Sequence, residues 1–456
     1  MIGLWEFLKE YMMQNPNQQI CENDASMSFE EMAVWAETFA ERLKGKMCCA
    51  ILCSSEMAAA MALLACFAAG VTAVPLSMRY GAVHCNKILE TISPDAIIMD
   101  EGDEINVACI SDHQYQVPKE HPALIMCTSG TTGKPKGAML SERNIMTNVE
   151  DICKYFAIGK SDTILIARPL YHCAVLTGEF LTAIVKGCKV RFYSEQFNPP
   201  KMLELIRNYQ VTAFCGTPTL IGLMARFKRK NDANTLKHVC VSGECMGSEI
   251  GTRILNAFSG ASIYHVYGLT EACPRVSYLP PHLFREHSDC VGVPLQSVSV
   301  KILNQDGKLC SPDEPGVLWI RGDNVMIGYY NNPDRTAEVL IDGWLCTGDI
   351  ALITADGLLK IKGRNDDLII KAGMNIYPAE VEAALKRDSR TKDVFVYGYE
   401  DRVGVQIGMK IVGEYSSVDE VFELCKEVLA DFQCPNKIEI VSELPKNASG
   451  KIIRRN

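Results

Sequence analysis

Over its first two-thirds the chain alternates short β-rich runs with longer stretches of helical periodicity, and that alternation leaves few folds open. Residues 50–53, 96–99, 124–126, 163–167, 189–193, 213–215 and 238–241 are short and apolar, the pattern of buried strands. Amphipathic or apolar helical patterns lie between them, as at 29–43, 200–209 and 218–229. Strands separated by helices build largely parallel sheets with helices on their faces. At 456 residues the chain exceeds one ordinary domain, so more than one core is expected.

The texture changes near residue 290. Runs at 298–303, 316–320, 350–354 and 358–362 are punctuated by Asp306-Gly307 and Asp356-Gly357, pairs that suit tight hairpins. A small distorted β-barrel is expected at about 290–363. A polar break at 364–367 follows, and 368–456 reads as strand, helix and strand, with Pro378 opening the helix. The expected architecture is α/β: an N-terminal domain over 1–363 with two helix-covered, largely parallel sheets and the β-barrel, a hinge at 364–367, and a small α+β C-terminal domain.

The densest chemistry lies at 127–140. Thr128, Ser129, Thr131 and Thr132 supply hydroxyls, Gly130, Gly133 and Gly137 free the backbone, and Lys134 and Lys136 add positive charge. Such a loop cradles phosphate oxygens. It is not a Walker A motif, because Pro135 stands where Ser or Thr should meet magnesium.

Bulk properties exclude several classes of function. A formal charge of −9 argues against nucleic-acid and anionic-membrane partners. Twenty cysteines occur without a CxxC pair, which fits neither a zinc site nor a disulfide scaffold and suggests reduced thiols in a cytoplasmic protein. The longest apolar stretch, 57–70, falls short of the roughly 20 residues a membrane span needs, so a buried helix is expected there.

Five further clusters carry reactive residues. Tyr267-Gly268-Leu269-Thr270-Glu271 offers hydroxyl and carboxylate oxygens to a hard cation. Gly343-Trp344-Leu345-Cys346-Thr347-Gly348-Asp349 ends in a carboxylate able to accept from ribose hydroxyls or to serve as a turn residue. Gly363-Arg364-Asn365-Asp366-Asp367 occupies the break. Lys371-Ala372-Gly373-Met374-Asn375 leads into the Pro378 helix, and Pro445-Lys446-Asn447-Ala448-Ser449-Gly450-Lys451 closes the chain with a turn that directs Lys451.

In order and spacing these clusters resemble the adenylate-forming superfamily of acyl- and aryl-CoA synthetases, peptide-synthetase adenylation domains and luciferases, over most of the chain. The type most like it is the acyl-CoA ligases. The resemblance implies ATP-dependent activation of a small carboxylic acid to an acyl-adenylate, with release of pyrophosphate, then transfer to a pantetheine thiol. That thiol is expected on CoA, or alternatively on the phosphopantetheine of a separate carrier protein. ATP and Mg²⁺ are the implied cofactors.

Residue by residue, the resemblance places Thr128, Ser129, Gly130, Thr131, Thr132 and Lys136 on the phosphates. Tyr267 and Gly268 fall to the adenine side, Asp349 and Arg364 to the ribose, and Thr270 and Glu271 to the α-phosphate and metal. Lys451 bridges carboxylate and α-phosphate, Asp366 is the hinge of a mobile C-terminal domain, and Gly373 approaches the pantetheine channel. His172, Thr217, Ser242, Gly243 and Ala272 line the acyl pocket. An amino-acid-selecting relative would carry Asp where His172 stands, and imidazole is a poor partner for an ammonium group. An acyl or aryl acid is therefore expected; Glu244 has no assigned part. A non-catalytic nucleotide-binding protein on this fold is disfavoured, because Lys451, Glu271 and Asp349 are all present.

Overall fold

Seven strands, in the order Gly328–Tyr329, Lys136–Leu140, Leu124–Thr128, Thr72–Pro75, Cys48–Ile51, Ala96–Glu101 and Glu104–Cys109, make one sheet of a computed structural model. The model describes residues 2–77, 82–102, 104–110, 115–128, 135–229, 232–371, 374–401, 404–446 and 452–453, with backbone alone at 82–84, 128, 370, 375, 404 and 432. Cys49 pairs in parallel with both Ala73 and Ala96, so the middle of this sheet is parallel, as the helical crossovers require. Antiparallel pairs close both sides.

A second sheet has nine strands among the described residues: Val293–Pro294, Arg275–Leu279, Ser262–Gly268, His238–Ser242, Ala213–Gly216, Thr163–Ile166, Lys189–Phe192, Gln19–Glu22 and Ala25–Ser28. Its interior is parallel and its two edges antiparallel. One apolar core fills the space between the sheets, with Ile51 and Ala73 from the first, Ile164 and Val190 from the second. Helix Glu56–Ala69, the expected buried helix at 57–70, lies in that core. Ser55 caps its N-terminus and Gly70, at φ +66°, turns the chain out of it. Among the described residues no helix is long and apolar enough to cross a membrane.

Glu22 fastens that helix to the second sheet. Its carboxylate accepts from Ser55 Oγ at 2.5 Å, Met57 N at 3.0 Å and Ser194 Oγ. A carboxylate at a helix N-terminus satisfies otherwise orphaned N–H groups and complements the helix dipole.

The β unit expected near 290–363 is an antiparallel sheet of Val298–Leu303, Gly316–Gly322, Trp344–Ile353 and Leu340–Ile341, with Leu359–Arg364 on the far half of Trp344–Ile353. Bulges at Val317/Trp319 and Ile350/Ala351 distort it. Gly307 and Gly357 take φ of +75° and +80° in the two Asp-Gly turns. Trp344–Ile353 begins well before the expected strand at 350–354, because Gly348, at φ +70°, and Asp349 give this strand the composition of a turn.

Residues after 364 form their own core. Helices Pro378–Leu385 and Val418–Val428 cover the sheet Thr391–Asp401, Gly404–Gly413 and Lys437–Ile440, burying Ile369, Val381, Leu385, Val394, Ile407 and Val421. Charged pairs meet the larger part: Lys362 with Glu380, and Arg387 Nε with Glu249 Oε1 at 3.7 Å, the latter about half exposed on both sides.

Candidate active site

Parallel strands in register end together. Gly216 lies opposite Val241, and Ser242 opposite Val266, so Thr217, Ser242, Gly243 and Gly268 follow one another along the carboxyl rim of the second sheet. Such a rim is the usual ligand crevice of an open α/β sheet. Thr217 and Ser242 are buried there. Thr217 Oγ1 accepts from Leu220 N at 3.3 Å and so caps helix Pro218–Phe227. Glu244 acquires a structural part: its Oε2 accepts from Thr219 Oγ1 at 2.6 Å in the first turn of the same helix.

Tyr267, at the end of strand Ser262–Gly268, donates its hydroxyl to Asp349 Oδ2. Arg364 Nη1 meets Asp349 Oδ1 at 3.1 Å, across the antiparallel pairing of Asp349 with Arg364. Three of the sequence clusters thus converge on one carboxylate. Burial holds the Asp349 carboxyl above its ordinary value, despite Arg364 and Tyr267. Burial, together with Asp349, pushes the Tyr267 phenol well up, which keeps it a donor.

Gly268 is required by packing. A Cβ there would overlap the carbonyl oxygen of Pro274, where the chain folds back on itself. The returning loop holds Thr270 and Glu271 in a single turn of 3₁₀ helix, Thr270–Ala272. Tyr329 donates its hydroxyl to Glu271 Oε1 at 2.8 Å, and Met326 N donates to the Glu271 carbonyl at 2.9 Å. Lys136 Nζ stands 5.7 Å from the Tyr329 ring centroid, and burial holds its ammonium below the ordinary lysine value. Oxygen donors at Thr270 and Glu271 are of the kind that suits Mg²⁺, which prefers hard oxygens and phosphate co-ligands.

Sequence reasoning missed the residues that hold this loop. Asn148 Nδ2 donates to the Arg275 carbonyl at 2.8 Å, and Asn148 Oδ1 accepts from Arg275 N at 3.1 Å. Asn324 Nδ2 reaches the carbonyls of Ala272 and Arg275, both at 2.9 Å, and Thr177 Oγ1 donates to the Cys273 carbonyl at 2.8 Å. A usable signal existed in helix Glu142–Tyr155, where Asn144, Asn148 and Asp151 interrupt a buried face of Ile145, Val149 and Ile152.

His172 precedes the helical segment Cys173–Val175, its ring 4.1 Å from that of Tyr171. Ala272 is fully buried in the Thr270–Ala272 turn. Asp366 sits in the turn Asn365–Asp367 between the two cores. Thr128 and Lys136 are opposite one another at the open end of a strand pair. Ser129, Gly130, Thr131, Thr132, Gly373 and Lys451 lie outside the described residues. Lys446 and Ile452, which flank the segment bearing Lys451, form an antiparallel bridge.

Comparison with known proteins places this fold and site. Residues 8–330 match the model of the AMP-binding enzyme family, and 380–451 match the AMP-binding enzyme C-terminal domain. Feruloyl-CoA synthase of Amycolatopsis sp is 31% identical over 416 residues, 86% of this chain and 84% of the relative. A long-chain-fatty-acid–CoA ligase of Salmonella typhimurium is 32% identical over 354 residues, 75% of this chain and 63% of the relative. The o-succinylbenzoate CoA synthetase of Bacillus subtilis, solved with its acyl-adenylate intermediate, superposes with a TM-score of 0.87 at 28% identity, covering 98% of this chain and 96% of that one.

The fold and the convergent site define an adenylate-forming enzyme, and the chain belongs to the AMP-binding enzyme family. It is an AMP-forming acid–thiol ligase of the acyl-CoA synthetase type, which makes an acyl-adenylate from ATP and then a CoA thioester.

Proposed function

We propose that the chain activates an acyl or aryl acid at the rim formed by Thr217, Ser242, Gly243 and Ala272, with His172 beside it, and that free CoA is the acceptor. The observation that carries this reading is the meeting of Tyr267 and Arg364 on Asp349, beside Glu271 held by Tyr329. A buried acceptor flanked by a phenol and a guanidinium suits a ribose diol under an adenine ring, and the rim puts an acid next to the same nucleotide. Glu271 and Thr270 would hold Mg²⁺, which when bound neutralises phosphate charge.

The chain's own residues do the rest by position and charge, because carboxylate and α-phosphate are both anionic and must be brought together. Lys136, with the phosphate loop at 128–134, draws off charge from the leaving pyrophosphate. Lys451 spans the attacking carboxylate and the α-phosphate, a task suited to a compact charge on a flexible stem. The residues after the turn at Asp366 form a mobile unit that withdraws Lys451 and brings Gly373 toward the thiol channel. The working partition is 1–363, the hinge 364–367 and 368–456, in the cytoplasm. His172 favours an acyl or aryl chain over an ammonium group.

The test is carboxylate-dependent ATP–pyrophosphate exchange across short, medium and long fatty acids, aryl acids and α-amino acids, followed by CoA and holo-carrier protein as acceptors. Exchange with fatty or aryl acids and thioester on CoA are expected. Exchange confined to α-amino acids, or thioester only on the carrier, would overturn the reading.

A further inference from the structure

Behind the rim lies a group of buried charges that adenylation does not use. Arg168 Nη2 donates to Glu179 Oε1 at 2.6 Å, and Arg275 completes the group. Glu179 and Arg275 are 1% and 3% exposed. Among the described residues, Arg168 Nε, Glu179 Oε2 and Arg275 Nε have no hydrogen-bond partner. Two guanidinium groups share one carboxylate, so among the described residues the buried Arg275 has no carboxylate of its own, an arrangement that proteins avoid unless something else supplies the balance. The thiols of Cys215 and Cys240 are buried beside it.

The backbone is shaped around the group. Residues Leu176–Leu181 form a π-helical stretch, a rare form that recurs at functional sites, and Thr182 Oγ1 donates to the Thr177 carbonyl at 2.8 Å across it. Gly178 lies in this stretch, and a Cβ there would stand 2.9 Å from Arg275 Nη2. The helix gives up regular spacing and a side chain where the guanidinium lies against it.

Position ties the group to the acid. Arg275 directly follows Ala272, Cys273 and Pro274; Cys215 and Cys240 each stand two residues before a rim residue, Thr217 just past the end of its strand and Ser242 at the end of its own. Two residues of strand span about 6.6 Å, so the two thiols, which neighbour Arg168, Glu179 and Arg275, lie one layer below the rim read as the acyl pocket.

We propose that the acid substrate carries a second carboxylate at its far end, and that Arg275, supported by the Arg168–Glu179 pair, receives it. This rests on the reading of the rim as the acyl pocket. A second carboxylate supplies both what the group lacks in charge and an acceptor for its unpaired N–H. An acid ending in a methyl group or a bare ring would leave the guanidinium buried and unsatisfied.

The experiment is ATP–pyrophosphate exchange with acids paired by length, one ending in a second carboxylate and the other in a methyl group or ring hydrogen, alongside equilibrium binding of ATP. The wild type is expected to prefer the diacid by about 100-fold or more in kcat/KM, the scale on which sites built for a polar group reject analogues lacking it. Arg275→Met should abolish that preference and leave ATP binding unchanged. Exchange with monoacids equal to or better than with diacids overturns the proposal and leaves the activation chemistry standing. Exchange with no acid, while ATP binds, removes the acyl-pocket reading and this proposal with it. If Arg275→Met does not fold, the wild-type pairs decide alone.

Discussion

Tyr329 and Glu271, 58 positions apart in the chain, share a hydrogen bond of 2.8 Å that turns the carboxylate proposed to hold the metal. Burial and Glu271 push the Tyr329 phenol well above its ordinary value, so it remains a donor at any working pH. Removing the hydroxyl should loosen the carboxylate without disturbing the fold. Tyr329→Phe is expected to lower adenylation by about 10- to 100-fold, the range for a hydrogen bond to a charged group. A magnesium titration of pyrophosphate exchange checks this: the variant should need more metal, and an unchanged titration would exclude the role.

Asp349 carries a conflict between stability and binding. Its folded-state carboxyl holds a proton more tightly than the unfolded chain does, because burial outweighs Arg364 and Tyr267. Its contribution to stability therefore falls as pH rises from the ordinary carboxylate range through the raised folded value. Asp349→Asn should keep or raise the melting temperature at neutral pH and raise the KM for ATP about 10-fold or more. Melting curves from pH 4 to 8 beside ATP kinetics read both effects; a destabilised variant with normal KM would contradict the assignment.

Gly268 leaves no room for a methyl group against the carbonyl of Pro274. Gly268→Ala must push apart two backbone segments, a change expected to cost about 2–4 kcal/mol by analogy with overpacked cores. Urea unfolding measures that loss. Since the same turn carries Thr270 and Glu271, adenylation should fall even in the fraction that folds.

The proposed function gives Lys451 to the first half-reaction alone. Lys451→Ala should lose adenylation by roughly two to three orders of magnitude, the scale of removing one transition-state charge partner. Thioester formation from supplied acyl-adenylate should be affected far less. Equal losses in both would refute an alternating lysine.

Much of this could be read from the chain because local chemistry and global fold agree. The strands expected at 163–167, 189–193 and 238–241 appear as Thr163–Ile166, Lys189–Phe192 and His238–Ser242, since short apolar runs between helices have only the interior of a parallel sheet to occupy. Edge elements were less legible. Ala25–Ser28 is short and half polar, and Val293–Pro294 spans only two residues, one a proline, so neither carries the pattern of a strand. In the site, Tyr267, Glu271, Asp349 and Arg364 stood in recognisable clusters, whereas Asn148, Asn324 and Tyr329 did not. Those three act by reaching backbone or side chains far along the chain, and apart from the polar interruption of the buried helix face at Asn148, nothing in their immediate sequence marks such a reach.

The small C-terminal core meets the larger part through an exposed pair, Arg387 with Glu249, and a more sheltered one, Lys362 with Glu380. Exposed ion pairs contribute about 0–1 kcal/mol each, because water replaces either partner almost as well. In the proposed two-position cycle, the Arg387–Glu249 contact resists separation hardly at all. Chemistry and product exchange can then alternate at a pace set by diffusion through a short arc, and the ionic strength of the surrounding solution becomes a throttle on turnover.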